Sequence, residues 1–389
     1  MASPATPART DPLPGEPIDD EHVSEFDQAG AEIITGCREY DGAGAADWEL
    51  ARDIKRVFVG GSSTCAISIP GRGLSATHCM LERRGRGMRL YDEHSTHGTW
   101  VKDAPITTAD LRPGDKFTAK PVTLVTMNDA MRLHRPTLVE IVGTGWVPSP
   151  DWLMVEAYNS SHLVITGDPG CDQDRLARAI HAISPRRDQL PIEIGAIPEE
   201  RAAQIALVKQ ASKQQAPKQR ATVILAIPDK HAPLDETFLS MLYSTTYGVR
   251  VIVLARRAED ARRALGEALA GMCQYVMLRP LAYRAAEIDQ LLDRVFVERG
   301  TPHLRTADLT LENQEALRTY LWPENLAELR LIGHAISAHE TLGGWRPASE
   351  AVQRPKTTLQ EHFERIGLLL AHHSFFKSPA ETRRERTGR

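Results

Sequence analysis

Between Trp48 and about Arg132 apolar and polar positions alternate in short runs broken by glycines: RVFVGG, CAISIPGRG, MRLYDEHSTHGTWV, DKFTA and VTLVTM. Alternation with a period of two puts every second side chain on one face of a strand. Turn residues at such close spacing predict a compact β-sandwich over 46–135. A proline-punctuated stretch, HRPTLVEIVGTGWVPSPD, follows and is expected to be a linker over 136–149. Beyond it the apolar runs HLVITG, TVILAIP and VRVIVLA are continuous, with helical stretches such as DRLARAIHAI and ALGEALAGM between them. Unbroken β-branched runs separated by helices are strands buried on both faces, which predicts a parallel α/β core over 150–300. Leu176, Ile180 and Ile183 fall at spacings of four and three, giving the first helix of that core one apolar face.

After Gly300 the pattern is helical to the end. One helix is expected over 309–320 and a second over 326–339, with Trp322-Pro323 between them. Two short helices are expected around 347–352 and 356–366. The two ends differ from the rest. Residues 1–45 hold ten acids against two bases and are rich in proline, so they bury little apolar surface and should be mobile. The tail over 373–389 holds five bases against two acids and is expected to fray.

Bulk properties narrow the function classes. The chain has 389 residues, enough for two or three domains, with 42% hydrophobic and 25% charged residues. The net charge of −4 gives no global basic field, so any nucleic-acid contact must come from a local patch. Cys37, Cys65, Cys79, Cys171 and Cys273 are scattered and contain no CxxC, which argues against a disulfide framework or a zinc site. No metal is expected. No apolar run reaches membrane-spanning length and no signal pattern opens the chain, so a cytoplasmic protein with no membrane partner is expected.

The run GLSATHC, then YDEHSTHGTWV, then LRPGDKF resembles the forkhead-associated (FHA) domain. In that family loops at the rim of a β-sandwich grip a phosphothreonine through arginine, serine and backbone donors. Ser75 and His78 match its Ser-x-x-His motif; the serine would donate to phosphate and the histidine would brace the loop. Ser95, Thr96, Gly98 and Thr99 match the next loop, and Leu111, Pro113, Gly114 and Asp115 the turn after it. Two positions depart: the family's arginine falls at Gly61 and its asparagine at His97. A dianionic phosphate needs a cation or several good donors. Arg72, three residues before Ser75, is the candidate cation, and His97 a candidate donor. A scaffold that binds an unphosphorylated surface is the alternative these departures leave open.

The segment HLVITGDPGCDQDRLARAIHAISPR resembles the P-loop and first helix of the AAA+ domain in sigma-54-dependent activators. The likeness continues in order through ATVILAIPDKHAPLDETFLSML, VRVIVLARRAED, LRPLAYRAAEIDQLL and LTLENQEALRTYLWPENLAELR. It implies a core over 150–300 and a helical lid over 301–340. A P-loop works because glycines let backbone N–H groups close on phosphates while a lysine neutralises charge. Here Gly167 and Gly170 remain, but the next family glycine is Asp172 and the lysine is Gln173. The two Walker B acids fall at Ala226 and Ile227, with Asp229 just beyond. One sensor falls at Ala255 or Arg256, and the lid's sensor arginine at Ala327. The family's polymerase-contacting GAFTGA loop has no counterpart in IGAIPEERAAQIALVKQASKQQAPKQR. The resemblance therefore implies a core that keeps the fold without the catalytic parts, a pseudo-ATPase with no catalytic residues and no cofactor. Active turnover through Asp229 is the competing reading.

Finally, ASEAVQRPKTTLQEHFERIGL resembles the Fis-type helix-turn-helix that closes sigma-54 activators, over 341–372. Leu359, Phe363 and Ile366 would form its inner face. Thr357, Thr358, Gln360 and His362 would meet base edges, with Arg354, Lys356 and Arg365 on phosphates. Glu361 and Glu364 oppose approach to a polyanion. An ordinary helical hairpin used for dimerisation is the alternative. The expected whole is a multidomain α and β protein: β-sandwich, α/β P-loop core, helical lid and helix-turn-helix. As a transcriptional regulator it would bind DNA and a phosphothreonine-containing protein or kinase substrate, as a homodimer or assembled with an intact activator. As an interaction scaffold it would recruit partners and carry a vestigial helix-turn-helix.

Overall fold

The computed structural model describes residues 32–40, 46–145, 147–195, 197–198, 200–213, 221–243, 249–370 and 374–377. Most of the acidic stretch 1–45 and of the basic tail 373–389 lies outside the described residues. One compact unit takes in 32–35, Glu49–Pro113 and Phe117–Thr123. The other takes in Gly36–Trp48, Gly114–Lys116 and the chain from Leu124 onward.

Among the described residues eleven strands come first: β1 (Gly36–Glu39), β2 (Asp47–Glu49), β3 (Arg56–Gly60), β4 (Ile67–Ser68), β5 (Cys79–Arg84) and β6 (Gly87–Asp92), then β7 (Thr99–Val101), β8 (Ala104–Ile106), β9 (Thr108–Leu111), β10 (Lys116–Ala119) and β11 (Val122–Met127). They pair as two sheets, β2-β1-β11-β10-β7-β8 and β4-β3-β5-β6-β9. Alternation holds along β3, where Val57 and Val59 are buried while Arg56 and Phe58 face outward. β5 and β6 pair in register, with Leu81 opposite Leu90 and both fully buried. The sandwich strands run from Gly36 to Met127, which corrects the expected start at 46. Gly36, Cys37 and Arg38 form a buried strand against Met127, Thr126 and Val125. A four-residue strand whose partner lies far along the chain leaves no local period to read.

The expected linker is also corrected. Helix α1 (Asp129–Val142) runs through Pro136. Asn128 caps it, its side-chain oxygen accepting from the Met131 amide at 2.8 Å. At the other end the Arg284 guanidinium donates to the Glu140 and Ile141 carbonyls at 2.8 and 2.9 Å. Those bonds satisfy carbonyls that a helix leaves without partners.

Then come α2 (Pro150–Asn159), β12 (Leu163–Thr166), α3 (Gln173–Ile183), β13 (Ile192–Ile194), α4 (Arg201–Lys213), β14 (Thr222–Ala226), α5 (Glu236–Tyr243), β15 (Arg250–Ala255), α6 (Ala258–Met272) and β16 (Gln274–Met277). The strands form one parallel sheet in the order β13-β14-β15-β12-β16, as the continuous apolar runs require. Leu176, Ile180 and Ile183 are fully buried on α3. Because the chain leaves β12 toward β13 on one side and leaves β15 toward β16 on the other, the strand order reverses beside β12. In open α/β sheets ligands bind at the carboxyl ends of the strands at such a point.

The helical part comprises α7 (Ile288–Glu298), α8 (Leu311–Thr319), α9 (Asn325–Leu342), α10 (Trp345–Ala351) and α11 (Lys356–Ile366). Leu359, Phe363 and Ile366 form the buried face of α11, as their spacing predicted. The expected fraying from His373 is corrected by Phe375, which is fully buried. Its ring lies 5.2 Å from Phe363, 5.1 Å from His339 and 5.9 Å from Trp345. Asn313 on α8 holds the chain on both sides of it, donating to the Leu369 and Phe375 carbonyls at 2.9 Å and accepting from the Leu369 amide at 2.7 Å. All five cysteines are buried and free. Among the described residues no helix is long and apolar enough to cross a membrane.

Candidate functional site

At the sandwich rim the loop between β4 and β5 meets the loop between β6 and β7. Ser75 is the junction. Its Oγ accepts from the Thr96 amide at 3.0 Å and lies 3.2 Å from the Thr96 hydroxyl. His78 is fully buried beneath it. Its Nδ1 accepts from the Ser75 amide at 3.4 Å, so the proton sits on Nε2, which donates to the Gly98 carbonyl at 3.2 Å. The imidazole therefore links the two loops. Thr96 and His97 are exposed and Ser75 is half-buried. Arg72 is exposed on the turn between Gly71 and Gly73.

Ser95 is differently used. Its hydroxyl donates to Asp92 at 2.6 Å and its amide at 3.2 Å, while the Thr99 hydroxyl donates to the same carboxylate at 2.6 Å. Burial opposes ionisation of Asp92, but the bonds from Ser95 and Thr99 outweigh it and hold the carboxyl below the usual aspartate range. Ser95 thus shapes the loop, and its donor is spent on Asp92. Asp92 escaped the motif comparison, although an aspartate three residues ahead of a serine is a local turn signal. Lys120 escaped as well; its ammonium sits 3.5 Å from the centre of the Trp100 ring, and the Trp100 indole N–H donates to the His97 carbonyl at 3.4 Å.

Gly61, where the family's arginine was expected, donates its N–H to the Ser75 carbonyl at 2.9 Å. A Cβ there would lie 3.1 Å from the Leu74 carbonyl oxygen. The first loop lies close over the position, so a glycine fits it without displacement. The rim presents two hydroxyls, an exposed imidazole and the Arg72 loop in place of that arginine.

The second place of interest is the crevice at the carboxyl end of β12. The Gln173 amide nitrogen donates to the Gly167 carbonyl and to the Ala255 carbonyl, both at 2.9 Å. It ties the crevice loop to the end of β15. The Asn325 amide donates to the Pro169 carbonyl at 2.9 Å and its oxygen accepts from the Leu281 amide at 2.8 Å. Gly170 has φ +80°, and a Cβ on it would stand 2.0 Å from the Glu324 carbonyl oxygen. Only glycine lets the loop lie this close to the start of α9. The Ala327 amide donates to the Gly170 carbonyl at 3.3 Å, so Ala327 contributes its backbone.

Arg256 bridges Asp168 and Asp229, each at 3.4 Å. Ile227 is buried and Ala226 half-buried at the end of β14, where the resemblance would place acids. Asp172 has left-handed backbone, φ 66° and ψ 34°, and its side chain does not cap α3. It pairs with Arg330 on α9 instead. The Cys171 thiol is 2% exposed, and burial, then Asp168, push it up to about 11, which makes it a poor nucleophile.

On α11, Arg354 just before it and Lys356, Thr357 and Thr358 in its first turn are exposed, and Gln360 is half-buried. His362 is half-buried and Arg365 exposed, and both meet α9. His362 Nε2 lies 2.5 Å and the Arg365 guanidinium 3.4 Å from Glu328 on α9, whose side chain is fully buried. The bases expected on this helix are thus divided between an exposed N-terminal group and a pair that meets Glu328, of which Arg365 is itself 61% exposed.

No curated protein matches the chain. Among solved structures, the FHA domain of CT664 from Chlamydia trachomatis is 16% identical; the match covers 24% of this chain and 96% of that one, with a TM-score of 0.22. EmbR of Mycobacterium tuberculosis, solved with a low-affinity phosphopeptide, is 17% identical, with 24% of each chain covered and a TM-score of 0.22. NtrX of Brucella abortus, solved with ATP, is 14% identical, with 62% of this chain and 68% of that one covered and a TM-score of 0.35. The family model of the FHA domain matches residues 57–119, and this part of the chain is an FHA domain.

Proposed function

We propose that this chain is a regulator of the sigma-54-activator type that reads a phosphothreonine protein through its FHA domain and does not hydrolyse ATP. The observation that carries the second half is Gln173. It stands at the lysine position and spends its amide on the Gly167 and Ala255 carbonyls. A P-loop needs a cation aimed at phosphate; here a neutral amide faces carbonyls, with Asp168, Asp172 and Asp229 nearby. The first half rests on the Ser75, Thr96 and His78 arrangement, which keeps two hydroxyls at the meeting of the rim loops.

DNA binding through α10 and α11 belongs to the same proposal, carried by exposed Arg354, Lys356, Thr357 and Thr358. A scaffold without DNA affinity is the second reading, and the engagement of His362 and Arg365 with Glu328 favours it. Phosphothreonine peptides titrated into the whole chain test the FHA half. Binding that requires the phosphate and is lost in Ser75→Ala and Thr96→Ala supports it. Equal binding of the unphosphorylated peptides refutes it and leaves a phosphate-independent surface.

A further inference from the structure

Four charged side chains besides Asp172 meet around one carboxylate. Glu140 on α1 is 5% exposed. Arg175 on α3 reaches it at 2.5 Å, Arg330 on α9 at 2.6 Å and Arg294 on α7 at 3.3 Å. Glu298 completes the set, 3.8 Å from Arg175 and 3.4 Å from Arg294. With Asp172, which pairs with Arg330 and lies 3.7 Å from Arg175, the group holds three guanidiniums and three carboxylates. Burial opposes ionisation of Glu140, but Arg175 and Arg330 outweigh it and hold the carboxyl below its ordinary value.

Asp172 is the member that calls for explanation. A left-handed backbone is unfavourable for a residue with a Cβ, and a carboxylate before a helix ordinarily caps the first N–H groups. Asp172 accepts the first condition without gaining the second. What its position does supply is a negative charge at the head of α3, within reach of a helix belonging to the lid. That is where a bound anion would otherwise sit.

We propose that Asp172 is a resident anionic ligand for Arg330, a latch that holds α9 on the crevice loop with no nucleotide present. This rests on reading the crevice as one that does not take ATP. The latch has two points of attachment. At the first turn of α9, Asn325 and the Ala327 amide hold Pro169 and Gly170. About one turn further on, Arg330 holds Asp172 and, through Glu140, α1 and α3. The lid is thereby set by the chain's own charges, and its position carries no information about nucleotide. The arginine expected at Ala327 is replaced in effect by Arg330, which faces a carboxylate rather than a phosphate.

Hydrogen–deuterium exchange on the whole chain tests the latch, comparing Asp172→Asn, Arg330→Gln and the double variant. Asp172→Asn keeps shape and backbone preference while removing the charge, and the β-sandwich serves as an internal reference for folding. The expected result is exchange faster by ~10-fold or more in 167–172 and 325–330 for each single variant, the double variant no faster than the quicker single. Unchanged exchange at 325–330 in Asp172→Asn, or fully additive effects in the double variant, overturns the latch. Arg330→Lys, which keeps charge but loses the planar fork, should fall between wild type and Arg330→Gln. Wild type with MgATP separates the two claims: protection there counts against the closed crevice, while the variants alone decide the latch.

Discussion

The Gln173 amide donates to the Ala255 carbonyl at 2.9 Å across the end of β12. One neutral side chain thus ties a strand end to the crevice loop. Gln173→Ala would strand two carbonyls in a half-buried place. We expect a loss of about 1–3 kcal/mol in urea unfolding, with no gain of nucleotide binding. Unchanged stability would show that the two bonds do not close the loop.

The FHA rim should depend on His78 more than on any exposed residue. His78→Ala removes the support of Ser75 and Gly98 together and leaves a cavity beneath both loops. A loss of about 2–4 kcal/mol is expected, with phosphopeptide affinity falling alongside it. Ser75→Ala and Thr96→Ala should instead lower affinity at nearly unchanged melting temperature. Equal losses of stability in all three would contradict this division of roles.

The chain around Phe375 is a second such case. Phe375→Ala should cost about 3–5 kcal/mol, because its ring fills the space between Phe363, His339 and Trp345. Truncation before residue 374 should loosen α11 to the same degree, read as faster amide exchange over 356–366. A truncated chain with full protection there would show that the segment is not a support.

Acid stability follows from groups whose folded values are depressed. Burial, then Arg186 and Arg250, lower His162 below 6.5, and its Nδ1 accepts from the Val251 amide. The unfolded chain therefore takes up this proton first, and the contribution is lost as pH falls from 6.5 through the folded value. Burial opposes ionisation of Glu328, but bonds from His362, the Glu324 amide and Tyr320 hold it below 4.5. Its contribution is full above 4.5 and lost as pH falls through its folded value. Melting temperature should thus fall in two stages on acidification. His162→Gln should flatten the first and Glu328→Gln the second; a slope unchanged in both variants would refute the assignment.

Much of the plan was legible because it is periodic. The alternation in VTLVTM and RVFVGG, the unbroken VRVIVLA and the spacing of Leu176, Ile180 and Ile183 each fix a local environment, and the strands and α3 lie where they put them. What escaped was long-range. β1 needed its distant partner β11, and Phe375 needed α11 and α9 already in place. At the sites, motif positions located Ser75, His78 and Gln173. Asn325 and Arg330, which hold Pro169 and Asp172, carry no local signature, because each acts on a backbone or a charge that only folding brings near.

DNA affinity, where present, should follow the division of α11. Lys356→Ala should weaken binding to the chain's own promoter region and reduce the salt slope by about 1. Arg365→Ala should disturb the Glu328 contact more than the affinity. Weak, sequence-blind binding that neither variant alters would leave the scaffold reading.

The most direct test of the central claim is calorimetric titration of the whole chain with MgATP, paired with a sensitive phosphate-release assay. The expected result is no saturable heat and no release above background. Magnesium-dependent turnover that disappears in Asp229→Asn would contradict it and identify Asp229 as a displaced catalytic acid.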